Sequence, residues 1–398
     1  MQRKRRLQRT VRTAGANTAG SVRSRSAARG RASRQTAADR EYERGRQDGY
    51  PSGYRDGYWL GQCEHVIRHA EQPFPVRPLH VLYVTTGKGY PYSPLDEAVS
   101  VSLRQLVGEV TIMAPGENVA QTALSLRPDL VLFLDALDFD TTQVDQIRSE
   151  GIRTAVWFTD DPYYTDKTSL LAAHYDDVFT LESTCVDYYR SLGCERVYHL
   201  PLAAFPAHFR PRNTAADNRR EVCFVGSAYW NRVAFFDQVA EELAQRDVRI
   251  TGIWWDRLQT YPILSSKIEL GRWMEPLQTS ETYSGAKIVI NMHRSPDDST
   301  FNFNSAGIGA ATPNPRTFEI AGCGTLQLTD ERSDLARYYT PGVEVATYGT
   351  PQELIAKIDY YLAHEEERQT VAMRGLYRTM KEHTYLHRLH SMLLTLFG

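Results

Sequence analysis

The sequence predicts an α/β protein with two doubly wound, Rossmann-like domains that face one cleft. Two observations predict this architecture. Short apolar runs typical of buried strands alternate with stretches typical of helices, first over residues 79–205 and again over residues 220–380. A polar stretch that contains two prolines, FPAHFRPRNTAADNRR, separates the two series. Strands that alternate with helices form parallel sheets covered on both faces, and such sheets bind ligands beyond the carboxyl ends of their strands.

The first series predicts an N-terminal domain with six strands. They are expected at LHVLYVTT, EVTIMAP, PDLVLFLDAL, IRTAVWFTDDP, DDVFTLES and RVYHLPLAA. Helices are expected near residues 95–107, 119–125 and 142–150, and over CVDYYRSLG between the last two strands. A loop rich in Gly and Pro, GKGYPYSP, follows the first strand, which places it at the edge where ligands bind.

The second series predicts a C-terminal domain. Its first strand is EVCFVGS, followed by a helix over about residues 231–245 and by the strands VRITGIWW and KIVINMHR. A long polar loop, SPDDSTFNFNSAGIGAATP, precedes a short helix and the strand TLQLT. A helix near residues 333–339, the strand VEVATYG and two long helices complete the chain. The last helix, residues 381–398, is expected to cross back to the N-terminal domain.

Residues 1–78 differ in composition from both domains. Residues 1–40 hold 12 Lys or Arg residues and one acidic residue, with too few apolar residues to form a core, which predicts a disordered basic arm. Such an arm either docks on an acidic polymer or membrane surface or remains a solvated tail. Residues 41–78 are interpreted as a linker or interaction segment, because a glycine recurs every fourth position and tyrosines follow three of them, at Tyr50, Tyr54 and Tyr58. The glycines are Gly45, Gly49, Gly53, Gly57 and Gly61.

The composition excludes several classes of protein. No apolar run approaches the roughly 18 to 20 residues that span a bilayer, and the Arg-rich N-terminus lacks the apolar stretch of a secretory signal. The five cysteines form no C-x-x-C pair, which favours reduced thiols in the cytoplasm over disulfides or a zinc site. Nucleic acid is not an expected partner, because only residues 1–40 carry an excess of basic residues and the rest of the chain has 34 basic and 47 acidic residues.

One candidate phosphate-binding turn follows the strand EVCFV. Gly226 and Ser227 would let backbone N–H groups approach a phosphate at the start of the next helix, and Arg232 in its first turn would contact a diphosphate. The alternative is an ordinary strand-to-helix turn with a surface arginine. The segment lacks both of the common glycine-rich phosphate-binding motifs.

The stretch NPRTFEIAGCG is more specific. Pro315 suits a first helical turn with Asn314 as its N-cap, and Arg316 and Glu319 then share one face near the helix start. An acid there can accept both hydroxyls of a ribose, and an arginine can bind phosphate. The alternative is a surface ion pair, which is common and weak.

These residues lead to a family. RTFEIAGCGTLQLTD, followed by YYTPGVEVATYGTPQELIAKIDYYLAHEEER, resembles the CgeB-like spore-maturation glycosyltransferases, which are part of the GT-B nucleotide-sugar glycosyltransferases. AVWFTDDPYY and FVGSAYWNR are similar to other segments of that family, and residues 1–78 fall outside the likeness. The resemblance implies a GT-B-like fold, a nucleotide-diphospho sugar donor, of which a UDP-sugar is expected, and a saccharide or protein acceptor, in a spore or cell-surface layer.

The resemblance also implies roles for particular residues. Glu319 matches the glutamate that binds the donor ribose, and Gly226, Ser227 and, less closely, Arg232 match the phosphate contacts. The first glutamate of the family's E-x7-E motif has no acidic counterpart around Thr312, so stereochemistry does not carry over.

The remaining candidates lie at strand ends. Asp160 and Asp161 follow a strand of the N-terminal domain, which is expected to bind the acceptor. One of them could be a general base, and the alternative is that the pair caps a helix. His293 is a further candidate, for which a structural role is expected. No D-x-D stands at a strand end, so we expect catalysis without a metal. Two other classes stay open, namely a catalytically silent binding protein and a nucleotide-sugar epimerase.

Overall fold

A computed structural model of the chain describes residues 24–70 and 73–398. The chain divides after Trp59 into two compact units. The first 23 residues of the predicted arm lie outside the described residues, and the disorder of the arm stays a prediction. Helix α1 runs from Ser24 to Ala70 and takes in the end of that arm and most of the predicted linker.

The glycine ladder and its tyrosines lie on α1. Tyr50, Tyr54 and Tyr58 are exposed, and successive rings stack with centroids 6.3 and 6.4 Å apart. A Cβ atom added at the glycines of the ladder would meet nothing within 4 Å. The spacing of four residues therefore gives a tyrosine column beside a bare stripe on one helix.

The N-terminal domain contains a parallel sheet of six strands in the order β2-β1-β3-β4-β5-β6. The strands are β1 Arg77–Val84, β2 Val107–Met113, β3 Leu130–Leu134, β4 Thr154–Phe158, β5 Asp177–Thr180 and β6 Val197–His199. The helices are α2 Ser93–Leu106, α3 Val119–Leu126, α4 Thr141–Ser149, α5 Thr165–Leu171 and α6 Thr184–Ser191. The strands β3, β4 and β5 are buried throughout, as expected of strands covered on both faces.

The C-terminal domain repeats this plan with the order β12-β11-β10-β7-β8-β9. Its strands are β7 Arg220–Val225, β8 Val248–Gly252, β9 Ile268–Leu270, β10 Ala286–Asn291, β11 Leu326–Asp330 and β12 Ala346–Tyr348. Its helices are α7 Trp230–Gln238, α8 Ala240–Ala244, α9 Tyr261–Leu264, α10 Pro276–Gly285, α11 Pro315–Gly322, α12 Pro351–Ala363 and α13 Glu365–Glu382, and α14 Tyr385–Phe397 ends the chain. The predicted fold of two doubly wound domains is confirmed.

Several local predictions were wrong. The helix over 231–245 is broken at Val239, and the helix near 333–339 is only a 3₁₀ turn, Leu335–Arg337. The chain ends in three helices rather than two, because it leaves the helical conformation at His364. Helix α10 was not predicted because its sequence, PLQTSETYSG, has no apolar stripe. Strand β9 was not predicted because it has only three residues and lies at the edge of the sheet.

The last helix, α14, packs into the core of the N-terminal domain. Leu389, Met392, Leu393 and Leu396 form an apolar stripe at helical spacing and join the same cluster as Val81. The start of the helix is held by a hydrogen bond from the N–H of Tyr385 to the carbonyl of Ala204, 3.1 Å long. α14 therefore carries Tyr385 to the place where the two domains meet.

Candidate functional site

A cavity of about 350 Å³ lies between the two domains at the carboxyl ends of their strands. This is where ligands bind to open parallel sheets. The N-terminal domain contributes Tyr90, Tyr92 and Asp160 to its walls, the C-terminal domain Gly226, Ser227, Gly252, Tyr283, Arg316 and Glu319, and α14 Tyr385.

Two glycines bring the backbone to this cavity. Gly226 follows β7 and Gly252 ends β8, and a Cβ atom at Gly252 would lie 2.1 Å from the carbonyl oxygen of Gly226. The indole N–H of Trp255 donates to that same oxygen at 2.9 Å. A side chain at Gly252 would therefore displace the turn that presents Gly226 and Ser227.

Asn314 caps α11. Its Oδ1 accepts a hydrogen bond from the N–H of Thr317 at 3.0 Å, and its Nδ2 donates to Oδ1 of Asn291 at 2.9 Å. The predicted N-cap is thus present, but the side chain of Asn314 is used within the protein. It orients the helix that carries Arg316 and Glu319 instead of facing the cavity.

Arg316 and Glu319 face the cavity and lack protein partners. Among the described residues, neither side chain forms a hydrogen bond or an ion pair, so the surface ion pair considered as an alternative is not formed. Burial raises the pKa of Glu319 to about 7, against the opposing effect of the nearby Arg316. A carboxyl and a guanidinium that are both available to a ligand thus lie in one wall.

His293 positions the start of α11. Its Nε2 accepts a hydrogen bond from the N–H of Asn314 at 2.9 Å, so its Nδ1 carries the proton and donates to Asp330 at 2.5 Å. Burial lowers the pKa of His293 even though Asp330 opposes this effect, and the ring is therefore neutral. His293 connects the ends of β10 and β11 to α11.

The structure places Arg232 behind the Gly226 turn rather than in the cavity. Its guanidinium is buried, and it donates to the carbonyl oxygens of Ser227 at 2.9 Å and Met292 at 2.6 Å. The rings of Phe224 and Tyr229 lie against it. Since its side chain supports the turn from the protein side, the expected diphosphate contact is not available to Arg232 in this arrangement.

The structure separates the two candidate bases. Asp160 lines the cavity, and the hydroxyl of Tyr92 donates to its Oδ2 at 2.9 Å. Burial raises the pKa of Asp160, and the negative charge of Asp135 adds to this effect.

Asp161 lies in the core of the N-terminal domain. It is fully buried and accepts hydrogen bonds from the hydroxyls of Thr168, Thr180 and Tyr189 at 2.6 to 3.1 Å. Burial raises its pKa to about 6, and these three hydroxyls oppose the rise. Asp161 therefore has a structural role in this arrangement, and Asp160 is the carboxyl that a substrate can reach.

Sequence reasoning missed several residues at the cavity. Tyr92 lies in the GKGYPYSP loop after β1 and lines the cavity. Asp135 follows β3 and is buried beside the cavity lining, where it forms an ion pair with Lys88 and accepts a hydrogen bond from the hydroxyl of Thr159. Both follow predicted strands, so their positions could have identified them. Tyr283 and Tyr385 gave no such signal, because α10 was not predicted and the position of α14 depends on tertiary packing.

Within the described residues, no group of three or more His, Cys, Asp or Glu side chains could hold a metal ion. None of the described helices is both long enough and apolar enough to cross a membrane.

Comparison with known proteins supports one family. A family model described as glycosyl transferase-like matches residues 232–394. Spore protein CgeB of Bacillus subtilis (strain 168) is 28% identical over 310 residues, which cover 77% of this chain and 95% of the relative. The resemblance to the CgeB-like glycosyltransferases is confirmed. The matched model covers α11 and Glu319, although it begins after the Gly226 turn.

Solved structures of other proteins show the same fold as this chain. HepE of Anabaena, solved in complex with UDP and glucose, is 12% identical and has a TM-score of 0.54, covering 80% of this chain and 99% of its own. Sucrose-phosphate synthase from Thermosynechococcus elongatus is 10% identical with a TM-score of 0.55, at 80% and 99% coverage. The chain thus has the GT-B fold of these glycosyltransferase-related structures.

Proposed function

We propose that the protein transfers a sugar from a uridine nucleotide-sugar to a hydroxyl of a saccharide or protein acceptor. The observation that carries this proposal is the pair Arg316 and Glu319, which faces the inter-domain cavity and forms no hydrogen bond or ion pair with the described residues. Asp160 belongs to the opposite domain and lines the same cavity. Donor and acceptor groups would therefore meet between the two sheets.

The donor is assigned to the C-terminal domain. Glu319 would accept hydrogen bonds from the ribose hydroxyls, and Arg316 would bind the diphosphate, together with the backbone at Gly226 and Ser227. The HepE structure holds UDP and glucose in the same fold, which supports a UDP-sugar as the donor here. Asn314, His293 and Arg232 would act indirectly, because each holds a segment that carries these groups.

The acceptor hydroxyl is assigned to the side of Asp160. Its oxygen would attack the anomeric carbon while the bond from that carbon to the diphosphate oxygen breaks. Asp160 would take the proton of the hydroxyl, and Arg316 would stabilise the charge that develops on the leaving diphosphate. Burial raises the pKa of Asp160, which makes it a stronger base than an exposed aspartate.

The acceptor belongs to a spore or cell-surface layer in this proposal. The spore protein CgeB is the relative that supports it. The tyrosine column of α1 would serve self-association or docking on a surface polymer, since Tyr50, Tyr54 and Tyr58 are exposed. We propose that the reaction takes place in the cytoplasm, at the forming spore surface.

A panel of nucleotide-sugars tests the proposal. A donor present at 100 times its dissociation constant should add about 2.7 kcal/mol to the free energy of unfolding, which a thermal-shift assay detects. We expect stabilisation by a UDP-sugar and slow release of free sugar from it. Binding without hydrolysis or transfer would indicate a silent binding protein. Conversion of the free donor to its epimer would indicate an epimerase, and no binding at all would contradict the donor assignment.

A further inference from the structure

We propose that the hydroxyls of Tyr283 and Tyr385 bind the donor beside Glu319, and that the three groups together select a ribonucleotide through its vicinal 2′,3′-diol. This inference rests on the proposed function, because it assigns a role to two residues at the same site. It goes further in assigning part of the donor site to α14, the helix that packs into the opposite domain.

Tyr283 lies in the wall of the inter-domain cavity, and its hydroxyl has no hydrogen-bond partner among the described residues. The residue comes from α10, is fully buried and packs beside Val289 and Ile320. Buried hydroxyls in proteins nearly always have a partner, so an unpaired one at a cavity points to a ligand.

Tyr385 provides a second such group from a different element. It is 3% exposed, lines the same cavity, and its hydroxyl likewise has no well-formed hydrogen bond with any described residue. Burial raises the pKa of this hydroxyl, and the nearby backbone of Ala203 opposes the rise. Among the described residues, the hydroxyl proton has no acceptor.

The charged side chains of the site affect the pKa values of both tyrosines. Burial raises the pKa of Tyr283 well above its ordinary value, while Arg316 lowers it and Glu319 raises it. Burial also raises the pKa of Tyr385, and Glu319 adds to that effect. Both hydroxyls therefore remain protonated at neutral pH and lie within the electrostatic reach of the Glu319 carboxyl.

The chemistry of these three groups fits a vicinal diol. A carboxylate accepts hydrogen bonds from two adjacent hydroxyls, and each phenol can donate to a diol oxygen. A site built to hydrogen-bond a hydroxyl rejects an analogue that lacks it, because its buried polar groups are then left unpaired. The ribose of a nucleoside diphosphate presents this diol, and Arg316 in the same wall suits its phosphates.

Calorimetry on the full chain tests the inference with UDP and 2′-deoxy-UDP. We expect Tyr283→Phe and Tyr385→Phe each to raise the Kd for UDP about tenfold, as for one lost hydrogen bond. The Kd for 2′-deoxy-UDP should change less, so the preference for UDP should shrink in at least one variant. Tyr175→Phe is the matched control, because Tyr175 is also buried with an unpaired hydroxyl but does not line this cavity.

The outcomes separate the two proposals. An unchanged Kd for UDP in both tyrosine variants, with UDP bound by the natural protein, overturns the tyrosine assignment and leaves the donor assignment standing. Failure of the natural protein to bind UDP overturns both. Without nucleotide, Tm should stay level or rise in each variant. A clear fall in Tm would show that the hydroxyl has a protein partner and would also overturn the inference.

Discussion

The carboxylate of Glu182 accepts a hydrogen bond from the backbone N–H of Thr312, with 3.1 Å between Oε2 and the nitrogen. Glu182 follows β5 in the N-terminal domain, whereas Thr312 lies just before α11 in the C-terminal domain. The N–H of Ala311 donates to the same carboxylate at 3.0 Å, and both Glu182 and Thr312 are buried. This group of bonds connects the two domains directly ahead of the helix that carries Arg316 and Glu319.

Glu182→Gln should weaken this connection. Glutamine keeps the size but loses the charge, and its NH₂ group would face backbone donors. We expect a loss of about 1.5 to 3 kcal/mol in the free energy of unfolding, as for hydrogen bonds to a charged group. Urea unfolding measures it, with the exposed Glu195→Gln in the same domain as the control. Equal midpoints for the two variants would show that the connection adds no stability.

Glu319→Gln should stabilise the ligand-free protein above neutral pH. Burial raises the pKa of Glu319 from 4.5 to about 7, so the folded chain holds its proton more tightly than the unfolded chain. The stability that this bound proton contributes to the folded chain is fully present below about pH 4.5. It is lost as the pH rises to about 7 and does not return at higher pH. Relative to the natural protein, the variant should therefore gain stability between pH 5 and pH 8, by at most about 3 kcal/mol.

Thermal unfolding at the two pH values, without nucleotide, measures this difference. The same variant should bind UDP more weakly, by about 1.5 to 3 kcal/mol in calorimetry, because it loses a charged acceptor. A gain in stability together with a loss of affinity for UDP would indicate that the Glu319 carboxylate binds the ligand and does not stabilise the fold. Unchanged affinity would mean that Glu319 does not contact the nucleotide.

Asp160→Asn should lower kcat about 10²- to 10⁴-fold, the usual effect of removing a general base. The KM for the donor should change little, because the proposed mechanism assigns Asp160 to the acceptor and not to the donor. Asp161→Asn provides the contrast. It removes a buried acceptor of three hydroxyl hydrogen bonds, so it should lower Tm. A kcat that survives Asp160→Asn would assign the base elsewhere.

Transfer should persist in excess EDTA. In the proposed mechanism, the leaving diphosphate is stabilised without a cation by Arg316, the backbone at Gly226 and the start of α11. The measurement compares rates with and without chelator at saturating donor. A rate that falls in EDTA and recovers with Mn²⁺ or Mg²⁺ would show that a cation takes part.

Removal of residues 1–59 should leave donor binding intact. The chain divides after Trp59, and Cys63, Ile67 and Ala70, in the last turns of α1, are buried. The truncated protein should self-associate less in light scattering, because it lacks Tyr50, Tyr54 and Tyr58. Replacing these three tyrosines by serine in the full chain is the matched control. Loss of UDP binding on truncation would mean that this segment supports the donor site.

The sequence predicted the two series of strands because each strand carries its own apolar and β-branched residues. It predicted α11 with equal success, because Asn314 and Pro315 are local signals of a helix start. It did not predict α10, whose residues are polar or small, or the break at His364. It also could not separate Asp160 from Asp161, since adjacent strand-end residues differ in direction only once neighbouring elements are in place.

The sequence by itself therefore determined the fold class, the resemblance to the CgeB-like family and Glu319 as a candidate ligand-binding residue, because each depends on short-range patterns. The tertiary structure alone decided which groups are free to meet a ligand. Arg232 donates to the carbonyls of Ser227 and Met292, while the hydroxyl of Tyr283 has no hydrogen-bond partner among the described residues and lies at the cavity. Tyr385 reaches the same cavity only because α14 packs on the opposite domain. Whether a side chain is free to bind a ligand depends on residues far apart in sequence, so no local sequence pattern predicts it.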